Sequence, residues 1–402
     1  MKNEESSDSV KKLEGNLRPR RNSLLAIGEQ FFASGFTFYY LLIIYGRSDP
    51  KSIAYFSLMT LISNTASSIV RSRFIMPANQ ELNLVASSNF NKFDSKFNFY
   101  FSYYIPHTLC TLAICFFIFP KSLLFNLAIM IFIFEIFRAI EIAIMRFRLL
   151  ISISLVNYLT FSTFLFLFDA NERIALLVSL IGTSTIMYVQ SRSRMLVQVE
   201  SSTRYQDACN LQGTKLVAFT INVQVFSIVC YGIGCIFVPE QIGNIAQGVL
   251  LYSAAVTTIS QGLMNFYNAK QRVTNISLKY LLLLCGLMQI ILVINFFFIT
   301  ALRNTFEVYF LESFNSVIQY VPGILCITSL VIFAHTITFK LSRLISLRHM
   351  VITGFAYSSA AYLFPLLGLI LFDATGYNSI AVTMQIAAII ALTVYVKRTN
   401  LL

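Results

Sequence analysis

The sequence is poor in charged residues, which occupy only 12% of its 402 positions. Soluble domains carry about 25% charged residues, so this chain has about half the usual complement. Hydrophobic residues make up 56% of it, and the mean hydropathy is +0.70. This composition excludes a disordered chain, a nucleic-acid-binding module and an ordinary soluble enzyme.

The sequence also lacks the short motifs of nucleotide and hydrolytic chemistry. It contains no G-x-x-x-x-G-K-[ST] loop, no H-E-x-x-H and no G-x-S-x-G. The seven cysteines form no C-x-x-C pair, and no histidine lies at metal-binding spacing from them. We therefore expect no cofactor, no metal site and no enzymatic activity, and any transport would run on a gradient, a potential or the consumption of the substrate.

Long apolar segments recur along almost the whole chain. A helix that crosses the hydrocarbon core needs about 20 mostly apolar residues, and the sequence predicts twelve such helices. They lie near residues 23–45, 52–72, 99–119, 122–145, 149–168, 174–191, 216–238, 245–268, 280–302, 314–339, 349–372 and 379–396. The segments do not alternate as the strands of a membrane barrel do. The predicted fold class is an all-α polytopic membrane protein.

The basic residues are distributed unevenly between the predicted loops. Of the 30 Lys and Arg, 24 lie in the termini and every second loop, and 5 lie in the alternate loops. By the positive-inside rule, both termini are predicted to be cytoplasmic, in a multi-pass protein of the cytoplasmic membrane. The predicted organisation is a basic tail (1–22), a six-helix lobe (23–191), a cytoplasmic loop (192–215), a second six-helix lobe (216–396) and a short C-terminus (397–402). Such repeats are common in transporters, with the substrate path between the halves.

The fourth predicted span carries three charges, Glu135, Arg138 and Glu141, in FEIFRAIEIAIM. Intramembrane charges are costly and are functional candidates by default. Spacing of three places Arg138 beside both carboxylates on one helical stripe. We interpret Arg138 as a ligand for an anionic headgroup, and Glu135 and Glu141 as groups that take up a proton or cation; a structural ion network is the alternative. Glu29 in the first span is a further coupling candidate that could pair with Arg138 or extend to the cytoplasmic interface.

Polar residues at or within other spans are candidates for substrate binding. Arg71 and Arg73 at the end of the second span could bind a pyrophosphate through their forked guanidinium groups, although they could equally be topology anchors. Amides in the second, seventh and eighth spans could line a sugar path or join helices by hydrogen bonds; they are Asn64, Gln224, Gln247, Gln261 and Asn265.

The stretch IGEQFFASGFTFYYLLIIYGRSDPKSIAYFSLMTLISNTASSIVRSRFIMPANQE carries a more specific pattern. Gln30, Ser34 and Gly35 form a polar face in the first span, and Tyr55 and Phe56 belong to an aromatic second span. This stretch resembles the start of the Wzx-type polysaccharide flippases of bacteria, and Pro239 to Gln271 resembles their eighth-helix region. The resemblance implies the V-shaped two-lobe fold of the multidrug/oligosaccharidyl-lipid/polysaccharide exporters.

The same resemblance implies a substrate, partners and a mechanism. The substrate would be an undecaprenyl-pyrophosphate-linked repeat unit of O-antigen, lipopolysaccharide or capsule, moved across the membrane by alternating access. The partners would be membrane lipids and a polysaccharide polymerase with its chain-length regulator, and no nucleic acid. A cation-coupled drug or metabolite antiporter of the same fold is the nearest alternative, followed by a membrane polymerase or glycosyltransferase and by a non-transporting scaffold.

Overall fold

The structure, a computed structural model, describes residues 28–70, 123–143, 146–192, 221–254, 278–305, 315–344 and 347–399, together with Leu25 and Val256. Within these ranges all regular structure is helical, and no strand is present. The predicted fold class is confirmed: the chain is an all-α polytopic membrane protein.

The helices follow one another along the chain with short connections where both neighbours are described. In chain order they are α1 (28–47), α2 (Pro50–Val70), α3 (Leu123–Ala143), α4 (Phe147–Phe166), α5 (Glu172–Arg192), α6 (Phe226–Phe237), α7 (Pro239–Gly248), α8 (Leu278–Thr305), α9 (Val321–Leu344), α10 (Leu347–Ser358) and α11 (Phe364–Thr399). A 3-10 turn, Asn315–Tyr320, leads into α9. One residue of α11, Asp373, has a φ of 55° and a ψ of −146°, which breaks that helix in two.

Four of the described helices adjoin a single π-helical turn, and two of them share one turn. These turns are Ile221–Val225 before α6, Val249–Ser253 after α7, and Ser359–Leu363 between α10 and α11. All three lie in the half of the chain that follows the predicted central loop. π-Turns inside α-helices are rare, so their positions mark places where the backbone departs from regular helix.

Local sequence explains where several helices begin. The carboxylate of Asp49 accepts a hydrogen bond from the backbone N–H of Ser52 at 3.0 Å, and Pro50 occupies the first position of α2. This combination is typical of a helix start, because the cap satisfies a free donor and proline needs none. At α5, Asn171 plays the same capping role for the N–H of Arg173 at 3.0 Å.

The predicted spans agree with the described helices in most places. The spans predicted near 52–72, 122–145, 149–168, 174–191 and 280–302 are confirmed as helices within a few residues. The prediction that the eighth span starts near 245 is wrong, because Pro239 begins α7 directly after α6 ends. The span predicted near 99–119 lies outside the described residues. Phe147–Phe166, Glu172–Gln190 and Val351–Ala391 are long and apolar enough to cross a membrane.

Helix α1 packs on α4 through aromatic side chains. Phe36 and Tyr39 of α1 both contact the rings of Tyr158 and Phe161 of α4. A Cβ on Gly35 would lie 2.5 Å from the hydroxyl oxygen of Tyr158, so a glycine at this position leaves the room that the tyrosine fills. These contacts hold α1, which carries Glu29, against α4.

The described helices pack mainly with neighbours from their own half of the chain. Helix α2 packs on α3, and both α3 and α4 pack on α5; α9 packs on α8 and α11. Helix α2 also packs closely on α7 and on α6, and so joins the two halves. The boundaries predicted for the lobes, 23–191 and 216–396, remain predictions.

Candidate functional site

The centre of the candidate site is Arg138, which α3 places against α1. Its Nε donates a hydrogen bond to Oε1 of Glu29 at 2.8 Å, and its Nη2 donates to Oε1 of Gln30 at 2.9 Å. Its Nη1 lies 3.5 Å from Oε2 of Glu135, one turn earlier on α3. The Glu29–Arg138 cluster, defined as Glu29, Gln30, Glu135 and Arg138, therefore engages all three nitrogens of the guanidinium group.

Burial differs sharply between the two carboxylates of this cluster. The side chain of Glu29 is 3% exposed and that of Arg138 is 12% exposed, whereas that of Glu135 is 32% exposed. One guanidinium faces two carboxylates, so the fully ionised cluster carries one uncompensated negative charge. Glu135 is the more exposed of the two carboxylates.

The structure adds a partner for Glu141 that the sequence did not predict. Its carboxylate faces Arg146, whose Nη1 lies 3.2 Å from Oε2. Arg146 directly precedes α4, and its backbone N–H donates to the carbonyl of Glu141 at 3.0 Å. Coupling by Glu141 stays a prediction.

The predicted pairing of Glu29 with Arg138 is present in the structure, and the roles assigned to both residues stay predictions. The geometry restricts the predicted role of Arg138, since a pyrophosphate group would have to replace protein partners that already occupy its donors. Gln30, singled out in the sequence only as part of the polar face of the first span, proves to be a direct partner of the guanidinium group.

Of the other predicted substrate-binding residues, Asn64 and Gln224 lie in the described part of the chain, away from the Glu29–Arg138 cluster. Asn64 is exposed on α2, and Gln224 is partly buried in the π-turn before α6. In the part of the chain that the structure describes, the Oε1 atom of Gln224 is buried without a hydrogen-bond partner, and so is that of Gln247. Arg71, Arg73, Gln261 and Asn265 lie outside the described residues.

A second buried polar cluster, between α4 and α5, was not anticipated from the sequence. Oδ1 of Asn157 accepts hydrogen bonds from the hydroxyls of Ser179 at 2.7 Å and Thr183 at 2.9 Å, and all three residues are fully buried. The spacing of Ser179 and Thr183, four residues apart on α5, was the signal available in the sequence. Within the described residues, no group of three or more His, Cys, Asp or Glu is arranged to hold a metal ion.

Comparison with known proteins gives a structural likeness. No family model matches the chain, and the comparison with curated proteins gives no match. Among solved structures, the fold is similar to an outward-facing multidrug resistance MATE family transporter of the MOP superfamily, with a TM-score of 0.58 and 12% identity over 95% of this chain and 96% of that one. It is also similar to a MATE protein in complex with MaL6, with a TM-score of 0.53 and 11% identity over 95% and 96% of the two chains.

A third similar structure is a MOP superfamily transporter from Pyrococcus furiosus whose binding pocket is described as having reversed polarity, suggesting a different function. Its TM-score is 0.53, with 10% identity over 95% of this chain and 96% of that one. At these identities the likeness concerns the fold alone. The chain adopts the fold of the MATE transporters of the MOP superfamily.

Proposed function

We propose that the protein is a cation-coupled membrane transporter that works by alternating access, and that the Glu29–Arg138 cluster is its coupling site. One observation carries this proposal: a guanidinium group and two carboxylates lie between helices α1 and α3 of a fold similar to that of solved transporters. Charged side chains inside a membrane cost free energy, and those that occur there are characteristic of ion and proton pathways. We also propose that it works in the bacterial cytoplasmic membrane with both termini in the cytoplasm, in keeping with the bias of basic residues.

In this proposal the two carboxylates have different roles. Glu29, buried and 2.8 Å from the guanidinium Nε, anchors Arg138 to α1. Glu135 is more exposed and more distant, and it takes up the proton or cation. Binding of the cation at Glu135 weakens the attraction between Glu135 and Arg138, which frees the guanidinium group to change partners. A change of partner there moves α1 relative to α3.

Two substrate classes fit this mechanism, and a specific observation supports each. The polar and aromatic pattern of residues 27–81 favours a lipid-linked oligosaccharide, carried from the inner to the outer leaflet. The excess negative charge of the cluster, together with the full engagement of Arg138, favours a cationic drug or metabolite exchanged for protons or sodium ions.

The decisive experiment reconstitutes the purified chain in proteoliposomes with an imposed proton or sodium gradient. One arm measures the leaflet accessibility of a fluorescent lipid-linked oligosaccharide, and the other measures uptake of a cationic dye. We expect gradient-dependent movement of one of them. The substitution Glu135→Gln should abolish gradient dependence, whereas Glu240→Gln, which neutralises an exposed carboxylate on α7, should retain it. Gradient-independent behaviour of the wild-type protein in both arms refutes the proposal.

A further inference from the structure

A close approach between the two halves of the chain joins the first residue of α2 to the middle of α7. A Cβ added to Gly243 of α7 would overlap the carbonyl oxygen of Pro50 and would lie 2.6 Å from its carbonyl carbon. The two backbones therefore touch at a position that only glycine permits without a shift. The surrounding face of α7 is buried, including Ile242 and Asn244.

Each half is held together internally at this same end. In the first half, the hydroxyl of Tyr45 on α1 is hydrogen-bonded to Ser57 of α2 at 2.6 Å. In the second half, Ser316 donates to Oδ1 of Asn244 on α7 at 2.9 Å. Farther along that half, Oδ1 of Asn378 on α11 accepts from the N–H of Gly323 on α9 at 2.8 Å. Neighbouring helices of each half are thus tied to one another, so that each half can move as a unit.

The contact across the halves is of a different kind. Besides the Pro50–Gly243 approach, the thiol of Cys235 on α6 lies 3.7 Å from the carbonyl oxygen of Ala54 on α2. A thiol is a weak donor, so this hydrogen bond contributes little. The junction is held mainly by apolar packing, because Ile53 and Phe56 of α2 and Ile242 and Ile245 of α7 belong to one buried core.

We propose that the junction of α2 with α7 is a gate that is closed in this structure, and that Gly243 is the residue that allows it to close. The gate lies at the ends of α2 and α7 whose loops carry few basic residues, the side that the charge distribution predicts to be extracytoplasmic. The inference rests on the proposed alternating-access function and identifies the contact that must break for that side to open.

Cys235 provides a native reporter of the gate, because only 2% of it is exposed while α2 covers it. The test uses the full chain in proteoliposomes, with the other six cysteines replaced by alanine, and a membrane-impermeant maleimide as the probe. The test variant is Gly243→Leu. The matched control is Gly232→Leu on α6, where an added Cβ would meet nothing within 4 Å.

We expect Gly243→Leu to prevent closure. If the open state of the wild-type protein is populated at about 1–10%, labelling of Cys235 should become roughly ten to a hundred times faster, and transport should be lost. The control should show wild-type labelling and wild-type transport. A Gly243→Leu protein with shielded Cys235 and normal transport overturns the gate while leaving the transport function standing.

Two measurements keep the test decisive if the leucine variant does not fold. Gly243→Ala introduces the same overlap with Pro50 through a single methyl group, and faster labelling is expected there too. In the wild-type protein, labelling of Cys235 should rise when the gradient and substrate drive turnover. An unchanged labelling rate during measured transport overturns the gate, whereas failure of the wild-type protein to transport overturns the proposed function.

Discussion

Removing the charge of Arg138 tests the energetics of the candidate site most directly. The substitution Arg138→Gln leaves the carboxylate of Glu29 with 3% exposure and without its 2.8 Å cationic partner. Breaking a buried ion pair from one side costs about 3–5 kcal/mol, because the remaining charge is uncompensated. We expect the lower end of this range, about 3 kcal/mol, since a glutamine can still donate one hydrogen bond to the carboxylate.

The partner substitution should cost less. In Glu29→Gln, the guanidinium group keeps Gln30 and lies 3.5 Å from Glu135. A loss of about 1.5–2 kcal/mol is therefore expected, the lower part of the range for a hydrogen bond to a charged group. The double substitution Glu29→Gln/Arg138→Gln removes both charges together and should be more stable than Arg138→Gln alone. Non-additivity of this sign is the signature of a direct pair.

The assay is the melting temperature of the purified proteins in one detergent, recorded at one scan rate because unfolding of such proteins is often irreversible. The matched control is Arg148→Gln, which removes an exposed arginine from α4 and should change stability by less than about 0.5 kcal/mol. If the double variant is as unstable as the sum of the single variants, Arg138 and Glu29 do not stabilise one another and the reasoning fails.

Three further predictions concern other parts of the fold. Asn157→Ala should lower the stability by about 1 kcal/mol, because it removes the buried Oδ1 acceptor while the two hydroxyls can still donate to the carbonyls of Asn157 and Ser179; a melting temperature equal to that of the wild type would contradict this. The hydroxyl and the backbone N–H of Ser52 lower the pKa of Asp49. The stabilisation from this helix cap is therefore present above the unfolded-state pKa of about 3.9 and is lost as the pH falls through the lower folded-state pKa. Melting curves between pH 3 and pH 7 should show this loss in the wild type and not in Asp49→Ala. Gly376→Ala should destabilise the protein, because its Cβ would overlap the carbonyl oxygen of Gly368; Gly286→Ala, whose Cβ would be in open space, should melt like the wild type.

The sequence was sufficient to predict the class of the fold and the helix that carries the charges. Both follow from local properties, since a span of about 20 apolar residues has few alternatives to a membrane helix and an intramembrane arginine is conspicuous. The pairing of Arg138 with Glu29 was one of two options that the sequence left open. The contact of Glu141 with Arg146 could not be predicted from the spacing of charges on α3, because Arg146 lies beyond the end of that helix.

Long-range packing explains what the sequence could not reveal. Gly243 is one of 16 glycines, and nothing around it indicates that the backbone of Pro50, 193 positions away, touches it. The role of Asn157 likewise depends on the side-by-side placement of α4 and α5. In both cases the decisive partner is distant along the chain, and the hydrophobic periodicity of the sequence does not indicate which distant residues come into contact.

The three π-turns have a consequence for how this chain compares with its relatives. A π-turn contains one more residue than a turn of α-helix. In an α-helix, successive side chains are rotated by about 100° around the helix axis. Deleting one residue within Val249–Ser253 would therefore restore a regular helix while keeping the faces before and after it in register. A protein of the same fold that lacks one of these turns should align with this chain through a one-residue gap there. An alignment that places the gap elsewhere would misassign the helix positions between the two places.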